Sequence, residues 1–272
     1  MEMSTTTPRE ARKGNSLART VLATIFTAFA SATMIVGSLA APTAVANAAN
    51  DSCANVEVVF ARGTFEPAGV GATGQAFVDA LTARLPGKSV DVYAVNYPAS
   101  LNFGQATDGI ADASNRIQSI AATCPATKIV LGGYSQGAAV AGYTTSSSVP
   151  AGYELPAGIT GPMPPAVASH VAAVVLFGTP DSWFLNLVQR DAPPIVIGQQ
   201  YAAKSLELCA TGDPVCFPGG LERAAHSSYK DNGMAVQAAD FAAQKLGGSA
   251  PAAPISQTAG EVDPAPEVDP GN

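Results

Sequence analysis

The residues with the clearest chemical potential are Gly133-Tyr134-Ser135-Gln136-Gly137. They fit G-x-S-x-G, the pattern of a nucleophile presented on a sharp strand-to-helix turn. The constraint is steric: a chain reversing this tightly leaves no room for side chains two residues either side of the nucleophile. The helix that starts at the turn points its positive end toward a developing oxyanion. Five residues rich in Gly are a weak signal alone. Here Ile129-Val130-Leu131 precedes them and the small run Ala138-Ala139-Val140-Ala141 follows, so the required strand–turn–helix context is met.

A serine hydroxyl needs a base to take its proton, and the chain has two histidines, His170 and His226. His170 opens the apolar run Val171 to Phe177. In a parallel sheet, sites form at the carboxyl ends of the strands, so the start of that run is the wrong end. His226, in Ala225-His226-Ser227-Ser228-Tyr229, follows the last predicted strand and is read as lying in a loop on the catalytic side. It is the favoured base. The base in turn needs an acid to hold its tautomer. Asp213 leads, between Cys209 and Cys216; Asp181, after Phe177-Gly178-Thr179-Pro180, and Asp231 stay open as alternatives. An oxyanion hole is expected from the backbone N–H of Gln136 and one N–H of Arg62-Gly63-Thr64-Phe65-Glu66, with Thr64 chosen. A plain Gly-containing turn is the competing reading of that segment.

These residues must be positioned by alternating strands and helices. Val56 to Phe60, Val90 to Val95, Lys128 to Leu131, Val171 to Phe177 and Lys204 to Cys209 read as strands. The run Val171 to Phe177 is apolar on both faces, as in a buried parallel strand. Phe77, Ala80, Leu81 and Leu85 recur at helical spacing, as do Ile110, Ile117 and Ile120, and Met234 to Leu246 reads as a final helix. This alternation predicts an α/β fold with a central parallel sheet flanked by helices on both faces. Segments 150–165 and 181–200 are the loops able to cover a site.

The 272 residues are 47% hydrophobic and 13% charged, with a formal net charge of −7. That balance argues against a nucleic-acid partner. The only basic cluster, Arg9, Arg12, Lys13 and Arg19, precedes an apolar run from Val21 to about Ala41 and the small-x-small pattern Ala46-Asn47-Ala48. This predicts a secretory signal over residues 1–48, cut after Ala48, and a secreted product. An uncleaved anchor is the alternative, because the run is close to the roughly 20 residues that span a bilayer. A folded domain is expected over residues 49–246. Residues 247–272, rich in Pro, Ala, Gly and acids with no aromatics, read as a disordered tail, with cell-wall contact as the other reading.

The four cysteines, Cys53, Cys124, Cys209 and Cys216, all follow the export segment, and an even count in an oxidising compartment suggests disulfides. The short loop favours Cys209 with Cys216, leaving Cys53 with Cys124. Free buried thiols are the alternative; a zinc site fits the spacing poorly.

Together these residues resemble the cutinases, and most closely the cutinase-like esterases of actinobacteria. The likeness rests on Arg62-Gly63-Thr64-x-Glu66, Asn96-Tyr97-Pro98-Ala99-Ser100, Gly132 to Gly137, Cys209-x-x-Gly212-Asp213-x-x-Cys216, and His226 with Tyr229 behind it. It covers about Cys53 to Leu246. The resemblance implies a small α/β-hydrolase without a large cap domain. It implies a triad on Ser135, Asp213 and His226, an oxyanion hole on Thr64 and Gln136, and the two disulfides just named. The implied activity is hydrolysis of carboxylic esters, including lipids or polyesters, with no metal or organic cofactor. The tail lies outside the family pattern. Acyl transfer to another alcohol in the cell envelope, peptide hydrolysis, and an inert binding protein on a hydrolase scaffold are the rival functions. The sequence carries no signal for oligomeric state.

Overall fold

A computed structural model describes residues 53–149 and 155–247. The export segment 1–48, with its cleavage pattern, and all but the first residue of the tail 247–272 lie outside the described residues. In chain order the elements are β1 (Val56–Ala61), α1 (Gly71–Ala83), β2 (Val90–Ala94), α2 (Ala106–Thr123), β3 (Lys128–Tyr134), α3 (Gln136–Thr144), α4 (Pro165–Ala168), β4 (Val171–Phe177), α5 (Ser182–Val188), α6 (Gln199–Ala202), β5 (Ser205–Leu208), α7 (Arg223–His226) and α8 (Met234–Lys245). A short 3₁₀ turn, Phe103–Gln105, leads into α2. Among the described residues no helix is long and apolar enough to cross a membrane.

The five strands form one sheet in the order β2-β1-β3-β4-β5, and every pairing is parallel. Side chains alternate across a strand, and the sheet uses this to build two cores. Val56, Val58 and Phe60 of β1 and Ala173, Val175 and Phe177 of β4 pack on one face with α1 and α8 residues such as Phe77 and Ala239. Val59 and Ala61, with Val174 and Leu176, pack on the other with Ile117 of α2 and Val140 of α3. Phe60, Phe77 and Phe177 meet at centroid separations of 6.1–6.3 Å, a distance at which tilted and edge contacts are favourable. Helices thus cover both faces of the sheet, as the alternation predicts, and among the described residues no large cap domain is added.

One charged residue sits in a buried strand. Glu57 of β1 is 2% exposed and takes a two-pronged contact from Arg116 of α2, Nε to Oε1 at 2.5 Å and Nη2 to Oε2 at 2.9 Å. The guanidinium also lies over the Tyr93 ring. A buried carboxylate is tolerated when its charge is matched in this way, and the pair fastens α2 to the sheet. A disulfide between Cys53 and Cys124 ties the residue just after α2 to the chain entering β1.

Candidate active site

The turn after β3 is built as the sequence pattern requires. Ser135 adopts φ 55° and ψ −119° between β3 and α3, a conformation that costs an L-residue free energy and persists only where the surroundings impose it. A Cβ on Gly133 would overlap the carbonyl of Gly137, and a Cβ on Gly137 would overlap the carbonyls of Ala61 and Arg62. These obstacles are backbone, so they cannot swing aside. Ser135 N–H is fixed by the carbonyl of Phe177 at 2.8 Å.

His226 and Asp213 converge on this turn. His226 Nε2 lies 2.9 Å from Ser135 Oγ, and its Nδ1 lies 2.9 and 2.8 Å from the two oxygens of Asp213. An ionised carboxylate only accepts, so Nδ1 carries the proton and Nε2 is left to accept from the serine hydroxyl. His226 is not in a loop, as its neighbours suggest, but is the last residue of the four-residue helix α7. Tyr134 presses on the imidazole at a centroid distance of 5.1 Å and donates its hydroxyl to the His226 carbonyl at 2.6 Å.

Asp213 is completely buried. Burial pushes its carboxyl up, but hydrogen bonds from His226, from the Tyr229 hydroxyl and from Val215 N–H outweigh this and hold it below the usual aspartate range. The Tyr229 hydroxyl is 2.5 Å from Oδ2, Val215 N–H is 2.8 Å from Oδ1, and the loop that carries Asp213 is closed by the disulfide Cys209–Cys216. That disulfide, with Asp213, also forms the one cluster of potential metal ligands among the described residues. Both thiols are consumed in the S–S bond, so the cluster has the wrong chemistry for an ion.

The alternatives do other work. Asp181 caps α5, accepting from Phe184 N–H at 2.8 Å, and that Asp-x-x signal marks a helix start. Asp231 is exposed beside Lys230. His170 sits where β4 begins, its carbonyl accepting from Ile129 N–H, at the opposite end of the sheet from Ser135.

The loop after β1 supplies the second half of the site. Gln136 is the first residue of α3, where helix N–H groups have no intrahelical partner, and no protein acceptor among the described residues takes the Thr64 N–H. Thr64 and Gln136 line the same cleft as Ser135 and His226. The Thr64 loop is held at three points. Glu66 accepts from Gly63 and Ala72 N–H, both at 2.7 Å. Arg62 donates to the carbonyls of Glu66 at 2.9 Å and Tyr97 at 2.7 Å. Phe65 N–H donates to the carbonyl of Ala99 at 2.8 Å. The Tyr97 hydroxyl returns a bond to the Arg62 carbonyl, and Gln136 Nε2 donates to Ser100 at 3.0 Å. The segments 62–66 and 96–100, separate in sequence, are one structural unit. Strain gathers here: among the described residues the non-glycine positions with positive φ are Phe65, Ala99, Ser135 and Asp191, and all but Ala99 line the cleft.

The cleft has a volume of about 590 Å³ and is largely apolar. One wall is Phe103 and Ile110 around the start of α2; the other is Phe184, Leu185 and Val188 of α5. Of the two segments able to cover a site, 181–200 contributes this wall, whereas the described part of 150–165 does not reach the cleft. The sequence reads 181–200 as a loop, but Ser182–Val188 forms a helix capped by Asp181, and seven residues are too few to display a helical periodicity.

The sequence model of one family, Cutinase, matches residues 52–246. The carboxylesterase Culp1 of Mycobacterium tuberculosis is 48% identical over 197 residues, 72% of this chain and 83% of that protein. The phospholipase Culp4 of the same organism is 42% identical over 239 residues, 88% of this chain and 97% of that protein. Among solved structures, a cutinase-like protein from Cryptococcus sp. superposes with a TM-score of 0.56 at 29% identity, covering 74% of this chain and 98% of that one.

Proposed function

The chain belongs to the cutinase family, and from that premise we propose that it hydrolyses carboxylic esters through an acyl-enzyme on Ser135. The observation that carries the reading is the unbroken contact sequence Ser135 Oγ, His226 Nε2, His226 Nδ1, Asp213 carboxylate, at 2.8–2.9 Å throughout. The names carboxylesterase and phospholipase on its relatives support the same reaction class.

Ser135 Oγ attacks the ester carbonyl carbon while His226 Nε2 takes the hydroxyl proton. Asp213 stays ionised; it keeps the imidazole in the competent tautomer and stabilises the imidazolium. Charge moves to the carbonyl oxygen, where the N–H groups of Thr64 and Gln136 are the donors. Collapse expels the alcohol, which receives the proton from His226. Water then enters, gives its proton to His226 and attacks the acyl carbon; collapse of this second intermediate breaks the Ser135 Oγ–acyl bond, releases the carboxylic acid and returns the proton from His226 to Oγ. The apolar cleft suits an acyl chain of a lipid or polyester. The two disulfides fit an oxidising compartment and support export, with residues 1–48 as the signal.

The test is labelling with a fluorophosphonate followed by peptide mapping, in parallel with hydrolysis of simple p-nitrophenyl esters. An adduct on Ser135 and turnover lost in Ser135→Ala are expected. Folded protein without an adduct and without turnover overturns the proposal. Product analysis with an added alcohol acceptor separates hydrolysis from acyl transfer.

A further inference from the structure

The cleft over Ser135 does not run on freely along α3. Ala139 and Tyr143 are four residues apart on α3 and so share one face of the helix, which begins directly after Ser135. Ala139 and Tyr143 both line the cleft. Ala139 is small and leaves the way open, whereas Tyr143 is large and its hydroxyl donates to the carbonyl of Pro193 across the gap, on the segment that follows α5. A second cavity, of about 60 Å³, lies beyond, and Ile110, Tyr143 and Pro193 line both spaces. The three residues therefore form a partition with one residue from α2, one from α3 and one from the 189–198 segment. The far chamber is mostly apolar, with Leu155, Pro156, Ile159 and Met163 among its walls, and Ser114 of α2 borders it.

We propose that Tyr143, held by its bond to Pro193, is a specificity-determining residue that ends the acyl-binding cleft and keeps longer acyl chains out of the second cavity. The inference rests on the ester-hydrolase reading of Ser135. An apolar chain lying along α3 from the acylated serine passes Ala139 and meets the Tyr143 ring. A chain that stops short of the ring lies against the apolar cleft walls. A longer one has to bend back into water or break the Tyr143–Pro193 bond. The far chamber has room for several water-sized groups, at about 10–15 Å³ each, which is the scale of a few methylenes. Each methylene newly buried contributes about 0.8 kcal/mol, about fourfold in an equilibrium or rate constant.

The readout is the ratio of kcat/KM for p-nitrophenyl hexadecanoate to that for the butanoate, measured within each variant so that changes common to both substrates cancel. Tyr143→Ala opens the partition, and its ratio is expected to rise roughly tenfold or more, as two or more methylenes enter the far chamber. Tyr143→Phe keeps the ring but loses the bond to Pro193, and a smaller rise of the same sign is expected; it decides the matter should the alanine variant not fold. Adding Ser114→Leu to the open variant refills the far chamber and is expected to return the ratio toward wild type. A ratio unchanged in both single variants, in protein that still reacts with fluorophosphonate at Ser135, overturns the inference. So does a ratio that stays high after Ser114→Leu, because the chain is then not entering the second cavity. A wild-type protein with no fluorophosphonate adduct and no ester turnover instead removes the function on which the inference stands.

Discussion

The Tyr229 hydroxyl donates to Oδ2 of Asp213 at 2.5 Å, and neither residue has any solvent access. The same hydroxyl accepts from Ala210 N–H at 3.0 Å. Tyr229 is thus wired between the backbone leaving β5 and the carboxylate that His226 Nδ1 contacts. Burial and the neighbouring carboxylate both push its own phenol far above the usual tyrosine range, so it stays a donor at every working pH. Tyr229→Phe removes that donor and strands the Ala210 N–H. A loss of about 1–3 kcal/mol in stability is expected, read as a lower urea midpoint. As a positioning residue it should lower kcat with little change in KM. No change in either quantity would remove Tyr229 from the account of Asp213.

Asp213→Asn should lower kcat at neutral pH by about four orders of magnitude, because an amide can hold His226 in the wrong tautomer. The substitution also reports on acid stability. The native carboxyl sits below the usual aspartate range, so the unfolded chain binds the proton more readily. Asp213 therefore stabilises the fold at pH values above the unfolded aspartate value of about 3.9, and this contribution fades as pH falls through the lower native value. Urea unfolding followed down through this window should show a shallower acid loss in Asp213→Asn than in the wild type.

Glu66→Ala cuts both tethers to Gly63 and Ala72 N–H and loosens the Thr64 loop, leaving it held by Arg62 and by Phe65 N–H. Loss of one oxyanion donor typically costs about 10²–10³ in kcat. A fall of at least the lower figure is expected, with KM nearly constant and slower fluorophosphonate labelling. Equal losses in kcat and in the fraction of folded protein would show that Glu66 serves the fold alone.

Gly137→Ala places a methyl against the Ala61 and Arg62 carbonyls. Because backbone cannot rotate away, the β1–α3 packing has to open, at a cost of about 1–3 kcal/mol or more. Calorimetry should show a lowered Tm, and ester turnover should fall further than stability does because Ser135 is displaced.

Replacing Cys209 and Cys216 by serine opens the loop that carries Asp213. Closing a loop of this length constrains the unfolded chain by roughly 2–3 kcal/mol, and this should be lost in denaturant titrations. A parallel fall in kcat is expected because Asp213 loses its rigid frame. Activity and stability both unchanged would show that the hydrogen bonds from Tyr229 and Val215 suffice to hold the acid.

How far the site can be read from the chain depends on how local each constraint is. The turn at Ser135 is a local constraint: Gly133 and Gly137 are needed because their Cβ atoms would strike backbone within and beside the same turn. The parallel sheet follows from Val171 to Phe177, whose two-sided burial leaves an apolar run. His226 is 91 residues from Ser135, and the sequence favours it over His170 because His170 opens a strand whereas His226 follows the last one. The short helix α7 that carries it has no apolar periodicity to reveal it. Tyr134 and Tyr229 belong to the motifs that carry the family resemblance, but that they brace the histidine and the aspartate is visible only once the chain is folded.

By itself, then, the sequence determined the five strands, the longer helices, the sharp turn at Ser135 and the short set of residues able to serve it, because steric and hydrophobic periodicities act between near neighbours. Only the tertiary structure decided that Asp213 rather than Asp181 faces the imidazole, that Arg62 and Glu66 hold the Thr64 loop against segment 96–100, and that Tyr143 reaches Pro193 to close the cleft. Those contacts join residues tens of positions apart, and hydrogen bonds over such separations exist only once the sheet has brought the strand ends together.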